Sequence, residues 1–297
     1  MKALKAISYS SLLTLHACPR RYQLDKLMTR QEKITSVTFS FGHALGEGIQ
    51  SVLRGDSWQQ TLMDMFTIWE SPLLDAEPKK KKSFPNAVLA VEKFKTYFAE
   101  SDLRNYQLAY FNNKPATELS FSITLPDGYV YRGFIDAVLE HKETGKLLVL
   151  EIKSTGFTNL HEAMYKNSAQ ALGYTLILDA LSPNNTMASL SVRYLVYKTG
   201  ACEFETFNFT KLFNQKLNWI KDTLADSEQI EAYSLDNYFP KRGESCYSFF
   251  SPCPHIDYCG LKDSSLQLDL EKESSLNAFD FNFNLIDLVE TMETSHV

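Results

Sequence analysis

Between residues 116 and 152 the chain reads as three β-rich segments, Ala116–Leu125, Tyr129–Glu140 and Lys146–Ile152, separated by the turn sequences Pro126-Asp127-Gly128 and Glu143-Thr144-Gly145. Connections this short join neighbouring antiparallel strands, so the middle of the chain is committed to a sheet. On both sides the texture is helical. Ser8–Leu27 opens with Ser8 or Ser10 as N-cap and carries Pro19, which predicts a kink or break just after Cys18. Phe41–Arg54, Trp58–Trp69 and Pro85–Ala99 read as helices, with a linker over residues 71–83 that holds Pro72, Pro78 and the run Lys79–Lys82. After the sheet come a helix over Leu160–Leu181 and strands over Ala188–Tyr197 and Cys202–Phe209. A helix over Lys211–Ala225 follows, and Glu228–Gly260 reads as irregular. A mixed sheet with helices before and after it is an α/β or α+β core.

Of the 30 basic and 36 acidic residues, eight acids and one base lie from Asp263 onward, so the formal charge of −6 belongs to the tail and the body is nearly neutral. Charge therefore excludes no partner class and gives no support of its own for nucleic acid. No apolar run reaches the ~18–20 residues that span a bilayer, and Met1–Tyr9 lacks the long apolar stretch of a signal peptide. A soluble, cytoplasmic chain is expected. We expect one domain over residues 1–262, divided into a helical part (1–101), a core (102–227) and a cysteine-bearing loop region (228–262). An acidic, flexible tail follows over 263–297, in which Asn284–Thr291 is a possible short amphipathic helix and a possible contact for a protein partner.

Folding Tyr129–Ile152 as a hairpin gives two registers. With the turn centred between Glu143 and Thr144, positions whose numbers sum to 287 pair, and Asp136 lies opposite Glu151 on one face. With the turn at Thr144-Gly145, Asp136 lies opposite Lys153 instead. Glu151 and Lys153 share a face in either case. Two facing carboxylates repel unless a hard divalent cation offsets them, and Mg²⁺ binds through one or two carboxylates, with the Ile152 carbonyl as a further oxygen. A lysine beside that cation could orient or deprotonate water and offset transition-state charge, a set suited to phosphodiester hydrolysis. On spacing alone, a hairpin with its charges turned to water fits equally well. Gln170 and Tyr174, four apart, share a helix face, either near such a site or with Tyr174 half-buried beside Leu178.

Taken in order, Ser8-Tyr-Ser-Ser-Leu, Cys18-Pro-Arg-Arg-Tyr22, Phe41-Gly42, Glu118, Gly133-x-Ile-Asp136, Glu151-Ile-Lys153 and Gln170-x-x-x-Tyr174 resemble the RecB-type branch of the PD-(D/E)XK nuclease superfamily over most of residues 8–259. The resemblance implies an α/β restriction-endonuclease-like core with an added helical N-terminal region. It implies Asp136 and Glu151 as ligands of Mg²⁺ or Mn²⁺, Lys153 as helper of the nucleophile, and Gln170 and Tyr174 as supporting residues, with Tyr174 also touching DNA. The family's metal-ligating His after Phe-Gly falls here on Gly46. His43 and Glu47 are the candidates to replace it, and a carboxylate suits a hard metal, which favours Glu47. Gly42, Gly46 and Gly48 would otherwise serve close helix packing.

Cys18, Cys246, Cys253 and Cys259 resemble the four-thiolate [4Fe–4S] staple of iron–sulfur nucleases in this branch, among them AddB-type nucleases and the CRISPR adaptation nuclease, although the usual Cys-x-x-Cys pair is broken because position 250 is Phe. Zinc is the second option and free buried thiols the third. Arg20 and Arg21 beside these cysteines are candidate DNA contacts, and Phe249, Phe250 and Tyr258 are candidate stacking groups. The function expected is a metal-dependent DNA nuclease, most naturally an exonuclease acting on DNA ends or single strands in recombination, repair or phage replication. A non-catalytic DNA-end-binding or scaffold protein on the same fold is the alternative, and a zinc-stapled interaction protein the third.

Overall fold

The structure, a computed structural model, describes residues 5–27, 37–69, 81–182, 189–248, 251–257, 259–260 and 279–294. Its elements follow from the sequence in order. A short strand β1 (Ala6–Ile7) leads to α1 (Tyr9–Ala17), whose N-terminus is closed reciprocally by Ser8 and Ser11. Cys18 is extended, and Pro19 restarts the chain as α2 (Pro19–Tyr22), the break that a proline at N1 permits. Then come α3 (Val37–Arg54), α4 (Trp58–Ile68) capped by Ser57, and α5 (Phe84–Glu100) capped by Ser83. Strands β2 (Tyr106–Leu108), β3 (Tyr110–Phe111) and β4 (Lys114–Pro115) precede β5 (Thr117–Thr124), β6 (Val130–His141) and β7 (Leu147–Thr155). The chain continues through α6 (Ala163–Lys166), α7 (Gln170–Leu181), β8 (Ser189–Lys198), β9 (Glu203–Leu212) and α8 (Phe213–Leu235). It closes with the small hairpin β10 (Tyr247–Ser248) and β11 (Ser251–Pro252), then β12 (Phe281–Asn284) and α9 (Leu285–Thr294).

The chain divides into two compact units, one of residues 34–119 and 134–216, which we term central from its place in the sequence, and one of residues 1–33, 120–133 and 217–297, which we term terminal. The central unit is built on a mixed sheet. β2 and β6 are antiparallel, as are β6 and β7, and β8 and β9, whereas β7 and β8 run parallel. The parallel pair requires a crossover, and α6 and α7 supply it. On one face Ala137, Leu139, Leu148, Leu150 and Ile152 pack with the apolar sides of α3, α4 and α5. Gly48 lets those helices meet, since a Cβ there would stand 2.5 Å from Val91 Cγ2 and 2.7 Å from Met65 Sδ, whereas a Cβ at Gly46 would meet nothing within 4 Å. In the terminal unit β1 pairs parallel with the start of β6, and β12 pairs parallel with β5.

Three segments differ from the sequence reading. The helix expected over Leu160–Leu181 is broken between Lys166 and Gln170, because the buried Lys211 ammonium donates to the Lys166 and Ser168 carbonyls at 2.8 and 3.3 Å. A continuous helix would give those carbonyls to amides four residues on. α8 runs to Leu235 rather than stopping near Ala225; no Pro or Gly interrupts it before Pro240. Within the tail expected to be flexible, Phe281–Asn284 form a strand, since alternate Phe281 and Phe283 suit one and Ser120 and Ser122 tie down Asp280 and Asn282, while the possible helix over Asn284–Thr291 is present as Leu285–Thr294. Residues 263–278 lie outside the described residues, as do Phe249, Phe250, Tyr258 and the first two lysines of the Lys79–Lys82 run.

Candidate active site

The hairpin adopts the first of the two registers, with Ala137 opposite Leu150 and Val138 opposite Val149. The ladder ends there, although both strands continue. The next amide of β7 that could have paired onward, Ile152 N, donates instead to the Asp136 carboxylate at 2.7 Å. A side chain thus replaces the main-chain partner and holds Asp136 against the strand that carries Glu151. Because Ile152 and Leu150 face the α3–α5 layer, Glu151 and Lys153 face the other side, where α7 begins.

Glu151 is fully buried. Its Oε1 accepts from Lys153 Nζ at 2.6 Å and from Gln170 Nε2 at 2.6 Å, and Gln170 Nε2 also donates to the Tyr174 hydroxyl at 2.9 Å. Oε2 has no hydrogen-bond partner among the described residues. A buried carboxylate oxygen without a donor is costly, so one half of this group is satisfied and the other is open to a cation. Burial, and then the charge of Glu151, push the Asp136 carboxyl up to about 8, against the pull of Lys153 and the Ile152 amide. Burial alone would lower the Lys153 ammonium, but the charges of Glu151 and Asp136 outweigh it and hold Lys153 above its usual range. Two carboxyls side by side repel, and a divalent cation could offset that repulsion.

Glu118 joins this field from β5. It stands at φ 45°, a left-handed conformation uncommon for a non-glycine residue, and strain of this kind re-aims a side chain near functional sites. Burial first, then Glu47, raise its carboxyl, with His43 and Arg54 acting against them. Glu47 is engaged by Arg54, whose Nη2 lies 2.9 Å from its Oε1, and His43 rests against Phe39 with ring centroids 4.0 Å apart. The structure therefore joins Glu151, Lys153, Gln170 and Tyr174 in one hydrogen-bonded set, with Asp136 bonded to the Ile152 amide and feeling the charges of Glu151, Lys153 and Glu118, while Glu47 and His43 act on Glu118. Among the described residues no group of three or more His, Cys, Asp or Glu side chains is arranged to hold a metal ion, so Asp136 and Glu151 stand as a pair of carboxylates.

Other expected site residues are placed differently. Tyr174 is 3% exposed, and its ring lies inside the unit rather than on a surface that meets DNA. Arg20 is likewise buried and turned onto Gln23, while the half-exposed Arg21 pairs with Asp25 at 3.3 Å. Pro19 at the head of a four-residue helix turns Arg20 inward, beside the Arg20 amide that bonds the Pro240 carbonyl at 3.0 Å. Sequence reasoning missed Lys211, which fixes the loop leading into Gln170. Its only sequence signal was a lysine at the apolar end of a strand.

No helix among the described residues is long and apolar enough to cross a membrane. No curated protein matches the chain. Among solved structures, the "Putative exonuclease" from Eubacterium rectale is 13% identical, with 82% of this chain and 86% of that chain covered and a TM-score of 0.48. The protein SSO0001 is 13% identical over 87% of this chain and 84% of that one, with a TM-score of 0.31. The family description that matches is that of the PD-(D/E)XK nuclease superfamily, over residues 6–260, and it takes in the strands β6 to β9 that carry and flank Asp136, Glu151 and Lys153. A match of that extent settles kinship: this chain belongs to the PD-(D/E)XK nuclease superfamily.

Proposed function

We propose that the protein is a divalent-metal-dependent deoxyribonuclease that degrades DNA from its ends. The observation that carries this reading is Glu151, fully buried, with one carboxylate oxygen clamped by Lys153 and Gln170 and the other without a donor beside Asp136. Asp136 and Glu151 would hold Mg²⁺ or Mn²⁺, with the Ile152 carbonyl and Glu47 or His43 completing the oxygen and nitrogen set. Held there, the ion would supply polarisation of the phosphodiester and activation of water at neutral pH. Lys153, kept charged, orients the attacking water and offsets charge on the phosphate, and Gln170, braced by Tyr174, fixes the Glu151 carboxylate. End-labelled linear and closed circular DNA, single- and double-stranded, incubated with Mg²⁺ or Mn²⁺ test the reading. Linear DNA should disappear, circles should survive, and Glu151→Ala should be inert. Equal inertness of wild type and Glu151→Ala, with both binding DNA ends, would replace the enzyme by a DNA-end-binding scaffold.

Within the superfamily we place the chain with the RecB-type, cysteine-bearing members. The Cys253 amide donates to the Cys246 carbonyl at 2.8 Å, which sets these two residues opposite each other beyond the β10–β11 hairpin, and Ser245 Oγ donates to the Ala17 carbonyl, next to Cys18, at 2.6 Å. Cys259 N bonds the His255 carbonyl at 2.8 Å in the same loop region. Cys18, Cys246, Cys253 and Cys259 would be the four thiolates of a [4Fe–4S] cluster, which would have to draw them together, since among the described residues they do not already form a metal-holding group. Anaerobically purified protein should be brown, and a colourless zinc-containing protein would overturn this assignment.

Lys211 should matter through Gln170. Lys211→Met keeps the apolar stem but leaves the Lys166 and Ser168 carbonyls unanswered, and kcat for DNA cleavage is expected to fall roughly 10- to 100-fold. Lys211→Arg should recover part of the loss. A fall in kcat that merely tracks thermal stability across both variants would show Lys211 to be a structural residue only.

A further inference from the structure

Two large apolar side chains of the central unit, one two positions before Asp136 and one four positions after Lys153, stand in water. Phe134 is 55% exposed and Phe157 is 51% exposed, whereas Phe41 and Phe94 of the same unit are fully buried. Phe134 precedes Asp136 by two positions on β6 and so points to the same face, its Cα roughly 7 Å from that of Asp136 at ~3.3 Å per residue. Extending the observed register would set position 134 opposite Lys153, but the ladder ends at Ala137 and Leu150, so no β7 main chain pairs there. Phe157 follows Lys153 by four residues, just past the end of β7. Its amide donates to Thr155 Oγ1 at 3.1 Å, a turn that takes the chain off the sheet. Tyr165, whose phenol feels the Lys153 charge, stacks on Phe207 with centroids 5.1 Å apart and continues the aromatic lining on that side of Lys153.

We propose that Phe134 and Phe157 form a stacking platform for unpaired bases of the strand whose phosphodiester lies at Asp136 and Glu151, which makes single-stranded DNA, free or frayed at a duplex end, the substrate class. This rests on the nuclease reading above and narrows it. A base hangs from the sugar next to its phosphate, so a ring one strand-step from the carboxylates is within reach of a base face when the phosphate is in place. Duplex bases offer no free face to such a ring; unpaired bases do, and each base–aromatic stack is sequence-tolerant. A protein partner fits poorly, because interface cores are depleted of charge, and Phe134 shares its strand face with Asp136 while Phe157 follows Lys153 by four positions.

The test uses the full chain in EDTA, so that binding is read without cleavage. A labelled single-stranded oligonucleotide, the same strand with consecutive abasic sites, and a blunt duplex are titrated against wild type, Phe134→Ala/Phe157→Ala and Phe134→Trp. Stacking of ~1–3 kcal/mol per base converts at 1.4 kcal/mol per tenfold to an expected loss of about 10- to 100-fold for the double variant on the intact strand. No difference between proteins is expected on the abasic strand, and Phe134→Trp should bind as wild type with its added indole emission quenched. An unchanged affinity of the double variant, or an equal loss on intact and abasic strands, overturns the platform. Wild type that binds the intact strand over the abasic one yet cleaves nothing with Mg²⁺ would overturn the nuclease reading and uphold the platform. Both residues are exposed, so unchanged thermal stability is expected and separates the effect from misfolding.

Discussion

Glu151→Gln is expected to lower DNA cleavage at least about a thousandfold, the scale of losing charge stabilisation at a reacting phosphate, while the protein stays folded. The substitution is close to isosteric. With its amide oxygen turned toward Lys153 and Gln170 it keeps both donors that Oε1 accepts, and its NH₂ takes the place of Oε2, which has no donor to lose. Stability in EDTA should therefore change by no more than about 1–2 kcal/mol, because relief of the buried charge facing Asp136 is opposed by loss of the charge that pairs with Lys153. Cleavage is lost because the neutral amide can no longer share a cation with Asp136. Wild type stripped of metal should match the variant, and adding Mg²⁺ should rescue wild type alone. A variant that retains more than a tenth of the wild-type rate at saturating Mg²⁺ would remove Glu151 from the chemistry.

The second large effect is the pH dependence of the metal-free protein. Asp136 holds its proton up to about 8 in the fold, against 3.8 ordinarily. Between those values the folded state binds more protons than the unfolded chain, so stability falls as pH rises through that window. The sign is opposite to that of an ion-paired aspartate. A cation that replaces the proton reverses the trend: apparent Mg²⁺ affinity should climb about tenfold per pH unit up to pH ~8, with roughly one proton released on binding. Denaturant titrations from pH 5 to 8.5 with EDTA and with Mg²⁺ read both slopes. Asp136→Asn should flatten the EDTA curve, and a wild-type EDTA curve that rises with pH would show that Asp136 is ionised in the fold.

Much of this was legible in the chain. The break after Cys18 followed from Pro19, whose ring cannot continue α1 but can begin α2. The hairpin left two registers open, and its alternating apolar set could be placed on the core face in both; the packing of Ala137, Leu139, Leu150 and Ile152 against α3–α5 goes with the register that faces Asp136 to Glu151. What the sequence hid were interactions over long separations. Lys211 reaches back 43 and 45 residues to break a helix that local propensity would have joined. The left-handed turn of Glu118 has no local signature, since neither Gly nor Asn stands there. Exposure of Phe134 could not be read either, because a phenylalanine at an alternating strand position is ordinarily core.

The pairing of β12 with β5 bears on when the molecule can assemble. Everything the central unit needs has been synthesised once residue 216 is made, whereas the free edge of β5 finds its partner only when residues 281–284 exist, about 160 positions later. Lys5 waits in the same way for Glu231, and Ala17 for Ser245. The order of synthesis therefore lets the central unit form before the terminal unit is complete, and the edge of β5 stays open to wrong partners in the interval. Ribosome-stalled chains ending near residue 250 would be the form most in need of a chaperone.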